Sequence, residues 1–204
     1  MTTVQWSEEL ELGLDYMDET HREFVVLLAD AAGAGDERVL VAWQTVMDHT
    51  ADHFAREDQW MKNTGFPPGD CHSTEHNAIL AVMREGGKRG AAGNLALVRQ
   101  LARELGVWFA GHAQSMDTAL ALFLKDVQYD EATGRVGKPY VHPAELPGPR
   151  LDGIPPFAAR TSAKPMAPIS CSSASPWTRM WTAFISTTSV AWSPATLCSR
   201  LDRK

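Results

Sequence analysis

DERVLVAWQTVMDHTADHFAREDQWMKN, residues 36–63, decides the fold. Val39, Trp43, Val46, Thr50, His53, Glu57 and Trp60 recur at alternating steps of four and three. That interval brings side chains to one face of an α-helix. Gly65 and the Pro67-Pro68 pair halt the pattern, so the stretch predicts a helix from about Asp36 to Asn63. Its inward face is not all apolar. An imidazole and a carboxylate stand in the same seam as two tryptophans.

Outward from this helix the same period continues. A first helix is expected to start near Asp18 as N-cap, with His21, Phe24, Val25 and Leu28 sharing a face, and to end at Gly33–Asp36. A third begins near Asp70 and carries His72, His76, Ile79 and Met83 before Gly86-Gly87 ends it. The fourth, from about Ala92 to Asp126, has Val98, Leu101, Leu105, Trp108, His112, Ser115, Ala119 and Leu122 in strict alternation. Four amphipathic helices joined by short loops predict an all-α, up-down-up-down four-helix bundle, preceded by an N-terminal arm containing Trp6.

The rest of the chain reads differently. Of the 12 prolines 10 follow residue 126, no acid lies between Asp152 and Asp202, and 15 of the last 44 residues are Ser or Thr. The 204 residues therefore divide into a folded domain, 1–126, and an irregular, largely disordered tail, 127–204, of no assignable function. Tyr129–Val136 resembles a β-hairpin, and nothing in the sequence supports a protein partner acting through the tail. A net charge of -6 argues against a nucleic-acid binder. Three cysteines, without CxxC spacing, are too few for a disulfide framework. The acidic start MTTVQWSEELELG lacks the apolar core of a signal peptide, and no run of about 18 apolar residues suggests a membrane span. A cytoplasmic protein is expected.

What occupies the inward faces is more informative. His21, His53, Glu57, His72, His76 and His112 all fall at core positions. A single one is most simply a hydrogen-bonded core residue. Six together, each costly to bury alone, point to one shared partner, and a metal centre is the economical choice. His53 and Glu57, like His72 and His76, lie four residues apart and point to one side of a helix. Five histidines with carboxylate are too many ligands for one tetrahedral zinc, and the paired Glu-x-x-His motifs of ferritin-like di-iron proteins are missing. His49, one turn before His53, reads as a polar helix residue outside the set.

These pieces, in order, resemble the hemerythrin family in its bacterial form. They are Asp18-x-x-His21, His53-Phe54-x-x-Glu57-Asp58-x-x-Met61, Phe66-Pro67, His72-x-x-x-His76 and Trp108-x-x-x-His112-x-x-x-x-Asp117, spread between residues 6 and about 125. The resemblance implies two iron ions (Fe2+/Fe3+) bridged by hydroxide or oxide. It gives His72, His76 and His112 to one iron, His21 and His53 to the other, and makes Glu57 and Asp117 bridges. Asp117 comes from resemblance alone: five residues beyond His112 is about 140° around an ideal helix, so it needs a long reach or a local distortion. The two-histidine iron keeps an open position, where the family binds dioxygen reversibly. Phe24, Val25, Phe54, Ile79 and Trp108 are expected to form the dry pocket around it.

The resemblance therefore implies an oxygen carrier, store or supplier rather than an enzyme. Two further readings stand behind it. In one, the domain is an oxygen or redox sensor relaying through the tail. In the other, it is a di-iron oxidase or peroxide-detoxifying enzyme.

Overall fold

A computed structural model of the chain describes residues 4–140. Its helices are α1 (Asp15–Gly33), α2 (Val39–Thr64), α3 (Gly69–Ala91), α4 (Leu95–His112) and α5 (Thr118–Asp126). The last two are joined without a break by a π-helical segment, Ala113–Asp117, so that α4, the π segment and α5 form one long fourth rod. α2 packs on α1 and α3, and α4 closes the ring by packing on both α3 and α1. The architecture is the expected all-α four-helix bundle. A short 3-10 turn, Glu8–Leu10, belongs to the arm, and Leu10 is buried in the core. Strands β1 (Tyr129–Asp130) and β2 (Arg135–Val136) pair antiparallel as the expected hairpin. The expected tail from residue 141 onward lies outside the described residues.

Local chemistry accounts for most boundaries. α1 begins three residues before Asp18, which is not its N-cap. The Asp18 carboxylate instead reaches back to accept the backbone N–H groups of Leu12 at 2.7 Å and Gly13 at 2.9 Å, fixing how the arm enters the helix. α2 ends at Gly65, whose φ of 67° is the left-handed conformation that a glycine C-cap adopts at little cost. α4 starts on Asn94, whose side chain accepts from Leu97 N at 3.2 Å.

Two helices depart from the sequence expectation. α3 does not stop at Gly86-Gly87 but runs on to Ala91. A Cβ at Gly86 would collide with the Leu101 side chain, and one at Gly90 would lie 2.5 Å from Val98 Cγ2. These glycines let α3 and α4 approach closely; they are not breakers. Nor is the fourth helix regular to its end. The π segment inserts one extra residue into the turn after His112. Beyond it the inward positions are Leu120 and Leu124, while Ser115, Ala119 and Leu122 of the expected stripe face outward.

The apolar interior is split in two. A large cluster is built on Leu28, Trp43, Met83, Leu105 and Phe109, and a smaller one on Met17, Trp60, Met61, Leu120 and Leu124. Along α1, α2 and the fourth rod, the chain passes from one cluster to the other through buried polar residues: His21, then His53 and Glu57, then His112 and Asp117. The polar layer thus crosses the middle of the bundle.

Candidate metal centre

All seven residues singled out from the sequence meet in that layer, and all are buried. α1 supplies His21, α2 supplies His53 and Glu57, α3 supplies His72 and His76, and the fourth rod supplies His112 and Asp117. They form two overlapping groups. Glu57, His72, His76, His112 and Asp117 bring ligand-type atoms within 4.8 Å of one another, as do His21, His53 and Glu57.

On the three-histidine side, His112 Nε2 lies 3.1 Å from His72 Nε2 and 3.2 Å from His76 Nε2. Atoms ~2.1 Å from one shared ion stand ~3 Å apart when they subtend a right angle. The carboxylates reach both ways. Glu57 turns Oε1 towards His53 Nε2 at 3.6 Å and Oε2 towards His76 and His72 at 3.3 and 3.6 Å. Asp117 places Oδ1 3.1 Å from both His72 and His112, and Oδ2 3.5 Å from His21. Each acid therefore spans the two groups with its two oxygens.

The π segment is what brings Asp117 in. A π turn spends five residues where an α turn spends four, so the fifth residue after His112 faces the same side as His112. This is the local distortion that the five-residue spacing required.

Electrostatics mark the layer as built for a cation. Burial pushes the Glu57 carboxyl up to about 8, and the neighbouring Asp117 adds to the rise. Burial opposes ionisation of Asp117 as well, but the His112, His72 and His21 imidazoles together outweigh it and hold that acid well below the usual range. Burial keeps His53 well below an ordinary histidine, with His21 beside it adding to the effect, and burial likewise lowers His21. Imidazoles that favour the neutral form, as His21 and His53 do, beside an ionised acid, as Asp117 is, suit a metal ion, and an ion would displace the proton from Glu57.

The buried polar atoms test the fit. Both carboxylate oxygens of Glu57, both of Asp117 and Nε2 of His21 have no hydrogen-bond partner among the described residues. Buried polar groups are otherwise almost always paired. These five orphans, four carboxylate oxygens and one imidazole nitrogen in one layer, fit a pair of cations with a mixed imidazole and carboxylate ligand set.

The surroundings divide the expected pocket residues. His21 meets Phe109 edge-on with centroids 5.0 Å apart, and Phe24 packs on Phe109 at 5.1 Å, which places both phenylalanines at the two-histidine side. Phe54 tilts against His53 at 5.6 Å but lies flat on His76 at 3.8 Å. Trp108 belongs to the other side, stacked on His112 at 4.5 Å and donating from Nε1 to Glu75 Oε1 at 3.0 Å. Phe109 was missed, although it stands three residues before His112 and therefore on the same face. His49 lies outside both groups, with Nε2 3.1 Å from the Thr20 carbonyl oxygen and its ring stacked on Phe24.

Residues 12–123 match the family model described as Hemerythrin HHE cation binding domain. A bacteriohemerythrin of Ralstonia nicotianae is 41% identical over 124 residues, covering 61% of this chain and 90% of the relative. Bacteriohemerythrins of Stenotrophomonas maltophilia and Pseudomonas paraeruginosa are 28% and 27% identical over 125 and 122 residues. Those two matches cover 59% and 57% of this chain, and 81% and 78% of the relatives. Among the described residues no helix is long and apolar enough to cross a membrane.

Proposed function

The chain belongs to the hemerythrin family, and from that premise we propose that it is a non-haem di-iron protein that binds dioxygen reversibly as a carrier, store or supplier. His72, His76 and His112 would hold one iron and His21 and His53 the other, with Glu57 and Asp117 shared. The observation that carries this reading is the division of the two carboxylates. Each turns one oxygen to the three-histidine side and the other to the two-histidine side.

When bound, an iron pair supplies the two electrons that dioxygen must borrow to be held and return to be released. The chain's own residues decide where that happens. Three histidines with the two shared acids would leave little room on one side, while two histidines with the same acids would leave room for a further ligand on the other. Phe24 and Phe109 line the second side and keep water from it, which guards against irreversible oxidation. Burial favours the neutral form of His21 and His53, in which one ring nitrogen of each keeps a lone pair for a metal ion. We place this activity in a domain of residues 1–126 and regard the protein as a binding protein rather than an enzyme.

The test is an absorption spectrum of the anaerobically reduced, iron-loaded protein before and after air is admitted. A visible charge-transfer band that rises with air and fades under vacuum is the expected result. Oxidation that vacuum does not reverse would move the weight to a redox sensor. Steady consumption of peroxide would move it to an enzyme.

A further inference from the structure

The two halves of the centre are not braced alike. On α2, one residue beyond Glu57, Asp58 places Oδ1 3.5 Å from His76 Nδ1. The same oxygen accepts a hydrogen bond from Ser73 Oγ at 2.6 Å, which ties it to α3. The 3.5 Å gap is long for a hydrogen bond, but a small turn of the half-exposed Asp58 carboxylate closes it. Phe54 lies on the same imidazole with an interplanar angle of 3°. With a carboxylate oxygen near its outer nitrogen and a ring stacked on one face, His76 directs Nε2 inward towards Glu57. His112 is steadied in turn by the Trp108 indole, itself anchored on Glu75.

Nothing comparable stands behind the other half. Nδ1 of His21 and of His53 has no hydrogen-bond partner among the described residues, and the two rings meet each other edge-on. Nδ1 of His72 and of His76 is without a hydrogen bond as well, but among the described residues His76 is the one of the four with a carboxylate oxygen, Asp58 Oδ1, within 4 Å of its Nδ1.

A carboxylate beside Nδ1 can only accept, so it fixes the proton there and leaves the lone pair on Nε2, the atom that faces the centre. We propose that Asp58, held by Ser73, is a positioning residue that sets His76 as an Nε2 ligand and makes the three-histidine position the tighter of the two. The inference rests on the metal assignment above and adds a rank order between the two ions.

The experiment is an anaerobic titration of the ion-free full chain with Fe2+ against a coloured competing chelator. The unaltered protein is expected to take up two ions in two steps of unequal affinity. Asp58→Ala should weaken the tighter step about 10–100-fold and move the weaker one far less. Asp58→Asn, whose amide oxygen still accepts from Nδ1, should recover most of the loss. In the Zn2+-loaded protein, nitrogen NMR should show His76 as one tautomer protonated at Nδ1, and a tautomer mixture in Asp58→Ala.

Two equal steps in the unaltered protein, or an Asp58→Ala titration indistinguishable from it, would overturn the inference. Uptake of one ion or none by the unaltered protein would instead overturn the ligand assignment beneath it. If Asp58→Ala fails to fold, Ser73→Ala carries the same test, since it removes the tether and keeps the acid. A several-fold loss confined to the tighter step supports the inference, and no change overturns it.

Discussion

A buried polar atom without a partner is costly wherever it stands, and the chain carries such atoms in two settings. In the central layer the carboxylate oxygens of Glu57 and Asp117 and Nε2 of His21 converge, and a pair of cations would satisfy these together. The Tyr16 hydroxyl is the isolated case, buried without a hydrogen-bond partner among the described residues while its ring packs edge-on against Trp60 at 5.0 Å. Burial, with Glu131 and Tyr129 nearby, pushes its phenol up to about 12. The folded chain holds this proton more tightly than the unfolded one, so the benefit is complete below pH 10 and is lost as pH rises through about 12. Urea unfolding of the unaltered protein should therefore lose stability between pH 10 and 12 more steeply than unfolding of Tyr16→Phe. Parallel profiles would show that Tyr16 is not differentially protonated. At neutral pH Tyr16→Phe should be neutral or stabilising, because it removes an unpaired hydroxyl.

At the scale of one helix, the π segment separates what the sequence discloses from what it hides. The five histidines and Glu57 were legible because they obey the same three-and-four rhythm as the apolar residues around them. Asp117 does not obey it, and resemblance to a family had to supply it. The same extra residue moves the inward stripe from Ser115, Ala119 and Leu122 to Asp117, Leu120 and Leu124, leaving Leu122 62% exposed. Periodicity presumes an unbroken helix, and no breaker residue announces a π turn. Gly86 misled in the opposite direction. It looked like a stop, yet it is absent of side chain because Leu101 fills the space where a Cβ would be. Two substitutions test the shifted stripe by chemical denaturation. Leu120→Ala should cost about 2–5 kcal/mol, and Leu122→Glu no more than about 0.5 kcal/mol. The reverse order would restore the regular helix and remove the reason that Asp117 faces the centre.

On the scale of the whole molecule, the polar layer is a joint between two apolar cores of unequal size. The larger cluster, with Trp43, Leu28, Met83 and Leu105, has apolar contacts enough of its own. The smaller one, with Met17, Trp60, Leu120 and Leu124, lies at the end where the hairpin is fastened through Asn63 to Tyr129 and Phe123 to Tyr140. Ions binding only the folded chain stabilise it by about 2.7 kcal/mol when free metal is 100-fold above the dissociation constant. Here they would do so by clamping four helices at one level. Removing them should lower the thermal midpoint. Amide exchange should then rise most at the start of α1 and in α5, the helices that supply the smaller core, while the Trp43 end changes little. A uniform rise would mean that the layer does not separate two units.

Seven buried side chains, five imidazoles and two acids, are proposed to hold a pair of irons across the bundle. The most direct test is the iron-to-chain ratio of protein loaded anaerobically with Fe2+, freed of loose metal and weighed intact by native mass spectrometry. Two irons on every chain is the result predicted. One iron, or none, would contradict the claim and leave the orphaned oxygens of Glu57 and Asp117 without the partner argued for them.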